Sequence, residues 1–474
     1  MDTKHEITQL KELVGNQIYA EKAQSEALLV TEPLRNLAKR HVNTLPKITS
    51  IGSKGAGKTF NYLQICRKVT WYKFIDAIAP DSIESKDKKQ LENTFIFPLI
   101  HSLNLYDTAR EIIQATREAL FQRTGIQNHY PQSKFQQALS LEKLKETPDW
   151  NDFWQQQIWN NFYQQEDFVS LMELNYRFKQ KDIRVVFILD GLEDLFPDLA
   201  DNSIERDALH ALAYLPNTLN ELPDNHIGLV SFFREDYIEH VVTQNLGQYR
   251  DRYHPFQLTW DAESFLKLVY WTCQQANLSF ANADVQTLLP SEISQKLKQL
   301  WGLKLGKPNS REANTIRWVY AALSDLRGRL QARDIVRFLY YACDHGLTTP
   351  TSPEDRLLSP PSLRKGIKAS SAEKVGEAKS EFPVLAKWIE KLDNVPDAVK
   401  SVPFASDEAQ LNPEELRTLI DLGIVYEEKG SSVKKRYYLP ELYREGLGFN
   451  IAAGARPKVL LMLKESLGKL PADI

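Results

Sequence analysis

Cysteine is scarce in this 474-residue chain: Cys66, Cys273 and Cys343 lie far apart, with no C-x-x-C spacing. That excludes a disulfide framework or a cysteine zinc site as the organising feature and leads us to expect a reducing, cytoplasmic setting. The nine histidines form no H-E-x-x-H or H-x3–5-H pair, so no zinc chemistry is expected. No stretch approaches 18 consecutive apolar residues, and the first residues are acidic and polar where a secretory signal is apolar, so neither a membrane helix nor a leader is expected. An excess of one charge sign is also missing. Lys plus Arg (59) nearly balances Asp plus Glu (62) for a net charge of -3, so no global field draws the chain to nucleic acid or an anionic membrane, and any basic surface is local. No repeat of 20 to 50 residues suggests a solenoid or propeller, and no G-x-S-x-G elbow points to another hydrolase chemistry. What is present is ordinary globular composition, 42% hydrophobic and 26% charged, in a chain long enough for roughly two to four domains.

The first 45 residues read as helix, with Ile7, Leu10, Val14 and Ile18 at three- and four-residue spacing. Packing onto the next domain is the expectation, and a partner-binding helix is the alternative. From Lys47, short apolar runs alternate with helical stretches, the signature of a parallel sheet with crossover helices. Three strands are expected, at Ile48–Ile51, Val185–Leu189 and Ile227–Phe233, and the unbroken run at Val185–Leu189 suits a central strand covered on both faces. Such sheets hold ligands at their carboxyl edge. Beyond Leu258 the chain reads as helices to His345. Pro350, Pro353, Pro360 and Pro361, followed by a Ser, Lys, Glu and Gly mixture to Ser380, read as a linker. The expected layout is a helical segment at 1–45, an α/β core at 46–258, a helical region at 259–345, a linker at 346–380 and a small domain at 381–474.

Gly52-Ser53-Lys54-Gly55-Ala56-Gly57-Lys58-Thr59, followed by Phe60, satisfies G-x-x-x-x-G-K-[ST] and lies between a strand candidate and a helix candidate. Glycines let the backbone wrap a phosphate chain, and a helix start aims free N–H groups at the anion. In this Walker A pattern Lys58 reaches the β- and γ-phosphates of ATP and Thr59 offers its hydroxyl to magnesium. Val185-Val186-Phe187-Ile188-Leu189-Asp190 is the matching Walker B pattern, an apolar strand delivering a carboxylate that helps to hold the same ion.

Asp190-Gly191-Leu192-Glu193-Asp194 adds a small residue and then two acids. Here the chain resembles the signalling P-loop ATPases of the STAND class, especially the NACHT type, and more broadly the AAA+ ATPases. The resemblance implies that Glu193 or Asp194 polarises the attacking water. The NACHT order is Asp then Glu, here reversed, so which of the two acts stays open. It further implies that Arg234, at the end of the third strand candidate, senses the γ-phosphate. Arg250 or Arg252 would be a finger reaching a neighbouring subunit, against a surface pairing with Asp251. Residues 259–345 would form a helical lid, and Arg333 in Leu326–Ile335 would present a second sensor, against an ordinary basic helix face.

Asn412-Pro413-Glu414-Glu415 is a helix start with cap, proline and capping-box glutamate; Leu416, Leu419, Ile420 and Leu422 form its buried face, and Gly423 stops it. Extended pieces at Ile424–Glu427 and Val433–Leu439 follow, as in a winged-helix domain. Lys434, Lys435 and Arg436 in that wing could grip DNA, against a solvated edge strand. Trp150, Phe153, Trp154, Ile158, Trp159 and Phe162 form an aromatic stripe at helical spacing that reads as core. The layout, including Pro440–Leu447, also resembles a group of bacterial P-loop ATPases. The expected fold is therefore α/β, a P-loop parallel-sheet core with helical lid and C-terminal winged helix. The resemblance implies an ATP- and magnesium-dependent switch, working as a homo-oligomer or on a partner protein that carries sensor or effector, in bacterial stress or anti-phage defence. A DNA-associated initiator or loader, and a nucleotide-stabilised scaffold without turnover, are the alternatives.

Overall fold

The computed structural model describes residues 3–22, 26–125, 130–163, 166–199, 202–307, 309–325, 329–348, 355–381, 383–428 and 435–452. They divide into two compact units, one of residues 19–258 and one that joins residues 1–18 to residues 259–474.

The unit at 19–258 is built on a four-stranded parallel sheet of β1 (Lys47–Gly52), β2 (Thr94–Ile100), β3 (Arg184–Leu189) and β4 (Ile227–Arg234), in the spatial order β1-β4-β3-β2. Parallel neighbours need crossover connections. Lys58–Cys66 and Trp71–Ile78 lie between β1 and β2, Asp107–Thr124 and Leu171–Gln180 between β2 and β3, and Ser203–Asn220 between β3 and β4. Val185–Leu189 is wholly buried, as a strand covered on both faces must be. Beyond β1, Leu258 donates its backbone N–H to Ile51 and bridges Gly52 in parallel, so that edge is covered.

Three of the strands stand where the apolar runs place them. The fourth, β2, was not expected from the sequence, because Pro98 interrupts its pattern. As an edge strand, β2 can spare one ladder donor, and its register with β3 shifts between Pro98 and Ile100. The aromatic stripe from Trp150 to Phe162 is buried in the core cluster of this unit.

In the other unit, helix Thr3–Gln17 buries Ile7, Leu10 and Val14. It packs on helix Ala332–Thr348, with a Lys11–Asp344 ion pair at 2.7 Å, and Glu6 accepts from the Ser279 N–H at 3.0 Å. Residues 1–45 are therefore not one segment: helix Glu32–Arg40 places Leu34, Leu37 and Ala38 in the core of the sheet unit. The linker expected at 346–380 is corrected as well, since Pro360–Glu381 is a 22-residue helix. Pro360 and Pro361 fall at its start, where a missing N–H costs nothing. Its small residues serve close packing: Ser362, Ser370 and Ser371 are buried, and a Cβ at Gly366 would meet the Ala342 backbone N at 3.0 Å. Lys374 pairs with Asp334 at 2.8 Å and Arg337 with Glu377 at 2.6 Å across the same contact.

Near the C-terminus, Asn412 caps helix Pro413–Asp421 through the Glu414 and Glu415 N–H groups, and Glu415 returns a bond to the Asn412 N–H. Leu416 and Leu419 are buried on it, whereas Leu422, expected on that face, is exposed where the helix ends. A short antiparallel hairpin follows, pairing Tyr426 with Tyr438 and Glu427 with Tyr437. Residues 429–434, including Lys434, lie outside the described residues, as do 326–328. Lys435 is tied to Glu427 at 2.8 Å. Among the described residues no helix is long and apolar enough to cross a membrane.

Candidate nucleotide site

The carboxyl ends of β1, β4 and β3 lie side by side because β4 is inserted between the other two. Gly52 and Arg234 are register partners, and Asp190 directly follows β3. Between β1 and helix Lys58–Cys66, Gly55 (φ 80°) and Gly57 (φ 99°) adopt the left-handed backbone that side chains disfavour. No side chain caps this helix, so its first-turn N–H groups are available to an anion. Ser53, Lys54, Gly55, Gly57, Thr59 and Phe60 are partly exposed, while Gly52, Ala56 and Lys58 are buried.

Lys58 donates from Nζ to the carbonyl oxygens of Gly52 at 3.3 Å and Ser53 at 3.1 Å. Burial lowers its pKa, and the charges of Glu193 and Asp190 oppose that shift without cancelling it; Arg234 and Asp236 act on the same ammonium. Asp190 is 1% exposed, and no donor meets either carboxylate oxygen in full hydrogen-bond geometry, although the Thr59 hydroxyl and the Gly191 N–H lie near enough to act on it. Burial, and next the charge of Glu193, push its carboxyl up to about 7, against the pull of Thr59, Lys58 and the Gly191 N–H. An orphaned buried carboxylate costs free energy unless a cation or donor meets it. Thr59 and Lys58 beside it supply the hydroxyl and the ammonium of a nucleotide–magnesium site, so the residues fit that pair.

The two acids that the sequence leaves equivalent differ here. Asp194 accepts from Ser102 Oγ at 2.6 Å, the Leu103 N–H at 2.7 Å and Asn104 Nδ2 at 3.2 Å. Its carboxylate fastens the loop after β2. Glu193 is half-buried and acts electrostatically on both Lys58 and Asp190. Gly191 explains the small residue before them: its φ is 76°, and a Cβ would fall on the backbone of Ser102. Gly191→Ala is therefore expected to destabilise this unit by about 1–3 kcal/mol, which a thermal melt would register.

Arg234 forms a bidentate pair with Asp236, Nε to Oδ1 at 3.0 Å and Nη2 to Oδ2 at 2.7 Å. Burial alone would raise the Asp236 carboxyl, but this pair holds it below its ordinary value. The Asp251 pairing expected for the two candidate fingers is replaced by others. Arg250 meets Glu239 and, at 3.6 Å, Glu235, while Arg252 donates to Asn217 at 2.9 Å. Arg333 belongs to the other unit, where Glu377 lies 3.6 Å away. Asp236, Ser102 and Asn104 stand outside the motifs that the sequence shows. The acid two residues beyond Arg234 was a usable signal for the first, and the other two depend on a contact some 90 residues distant in the chain.

No protein-family model matches the chain, and no curated protein matches it. Among solved structures it is similar to the ORC2 protein of Aeropyrum pernix in ADPNP–ADP complexes, at 14% identity and a TM-score of 0.31 over 94% of this chain and 96% of that one. It is also similar to CDC6P from Pyrobaculum aerophilum, at 12% identity and a TM-score of 0.32 over 95% and 98%. Similarity of that degree leaves the functional argument to the residues themselves: an α/β parallel sheet whose carboxyl edge gathers a P-loop, a buried lysine and an orphaned carboxylate.

Proposed function

We propose that this protein binds ATP with magnesium at the Gly52–Thr59 loop, hydrolyses it, and acts as a STAND- or AAA+-type switch on its own assembly or on a partner protein. The observation that carries the nucleotide reading is Asp190, buried beside Lys58 and Thr59 with both oxygens orphaned. In this reading the loop N–H groups and Lys58 bind the phosphates. Thr59 and Asp190 hold magnesium, which when bound neutralises phosphate charge. Glu193 orients the attacking water and accepts its proton. Arg234 leaves Asp236 for the terminal phosphate. Asp194 serves the loop rather than the water, since three donors occupy it. The switch role and a setting in stress or anti-phage defence rest on the Asp190–Asp194 sequence. For the DNA-binding alternative, one of the wing's cations is engaged with Glu427.

The test is phosphate release with ATP and magnesium, run with light-scattering mass, on wild type, Lys58→Ala and Asp190→Ala. We expect turnover in wild type only, with a nucleotide-dependent change of mass. ATP bound without turnover would replace the enzyme by the scaffold, and turnover that survives Lys58→Ala would remove the site.

A further inference from the structure

The segment 191–198 carries Glu193 and is tethered at four points. Asp194 is held by residues 102–104. Lys143 Nζ donates to the Leu195 carbonyl at 3.1 Å, and Glu205 Oε2 accepts from the Asp198 N–H at 3.0 Å. Tyr237 Oη donates to the Phe196 carbonyl at 3.0 Å. The first three lead away from the phosphate loop: residues 102–104 follow the edge strand β2, and Lys143 and Glu205 pair with each other at 2.6 Å in the helical layer. The fourth leads back to it. Tyr237 lies in the first turn of helix Glu235–Val241, three residues after Arg234, and the Arg234 guanidinium stands 5.2 Å over its ring. Residues 192–196 are themselves one hydrogen-bonded turn, with the Leu195 and Phe196 N–H groups both donating to the Leu192 carbonyl. A shift at Phe196 is therefore felt at Glu193.

We propose that Tyr237 is a positioning residue for hydrolysis, its hydroxyl holding the turn that carries Glu193 and its ring coupling that turn to Arg234. This rests on the ATPase reading above. Arg234 now spends two donors on Asp236. A terminal phosphate facing Gly52 competes for the same planar fork, and a guanidinium that moves changes its stacking on Tyr237. The phenol is buried, so its bond to Phe196 is not exchanged for water at low cost.

The experiment uses the full chain and its Tyr237→Phe, Arg234→Ala and double variants, with phosphate release, titration of a fluorescent ATP analogue, and hydrogen exchange over 191–199. We expect Tyr237→Phe to lower kcat roughly ten- to a hundredfold through misplacement of the base, with analogue affinity and melting temperature nearly unchanged and faster exchange at 191–199. The double variant should lose less than the product of the two single losses. Unchanged kcat, or kcat falling together with affinity and melting temperature, would overturn the proposal. Should Tyr237→Phe not fold, exchange at 191–199 in Arg234→Ala decides: altered exchange supports the coupling and wild-type exchange overturns it. Wild type that releases no phosphate, or that is indifferent to Lys58→Ala, instead removes the ATPase reading, while the exchange result on Arg234 still stands on its own.

Discussion

Asp190→Asn is expected to raise the melting temperature of the ligand-free protein in chelator at pH 8 while abolishing magnesium-dependent turnover. The carboxylate is buried, no donor meets its oxygens in full hydrogen-bond geometry, and its pKa is raised from 3.8 to about 7. A raised acid pKa means that the folded chain holds a proton that the unfolded chain has lost. Below the unfolded value of 3.8 both states are protonated and the residue costs nothing through ionisation. As pH rises through the folded value, that advantage is lost, and above it the folded state carries a desolvated charge. Asparagine keeps the shape of the protonated acid and removes the charge.

The gap between variant and wild type should therefore be largest at pH 8, on the order of 2–4 kcal/mol, and close toward pH 4. For a unit of this size that is roughly 5–10 °C in melting temperature. Magnesium with ATP should reverse the order, stabilising wild type and leaving Asp190→Asn nearly where it was. Melts across pH 4 to 8, with and without magnesium ATP, test this directly. A variant no more stable than wild type at pH 8 would mean that Asp190 already has a partner in the folded chain.

The candidate site is legible in the sequence where local chemistry dictates it. The glycines at 55 and 57 need positive φ, the lysine and threonine open a helix, and an apolar strand ends in a carboxylate. Three strands and the capped helix at Pro413 are read from period and capping in the same way. What escapes the sequence depends on partners. Pro98 hides β2 because its tolerance is a property of the edge, which no local pattern reveals. The helix Pro360–Glu381 reads as a linker in the sequence because small residues look flexible until a second helix packs against them. The spacing of Ile7, Leu10 and Val14 announces a buried face but not that it covers a helix more than 300 residues away. Glu193 and Asp194 are equivalent on paper, and the loop at 102–104 separates them.

That separation makes the second large prediction. Glu193→Gln is expected to cut phosphate release by about 10²–10⁴-fold, the range of a positioned general base, while binding ATP as tightly as wild type. The amide can still orient a water but cannot take its proton. Asp194→Asn should behave otherwise. Its carboxylate accepts on both oxygens, two donors on Oδ2 and one on Oδ1, and an amide would set an N–H group against one of them. A loss of about 1–3 kcal/mol in stability follows, and turnover falls only as far as the loosened loop displaces Glu193. Phosphate release, ATP affinity and melting curves on the two variants separate the cases. A dead but stable Glu193→Gln beside an unstable, partly active Asp194→Asn assigns the base to Glu193. A stable Asp194→Asn with no turnover would return the base to Asp194 and make its three bonds a resting arrangement that nucleotide must break.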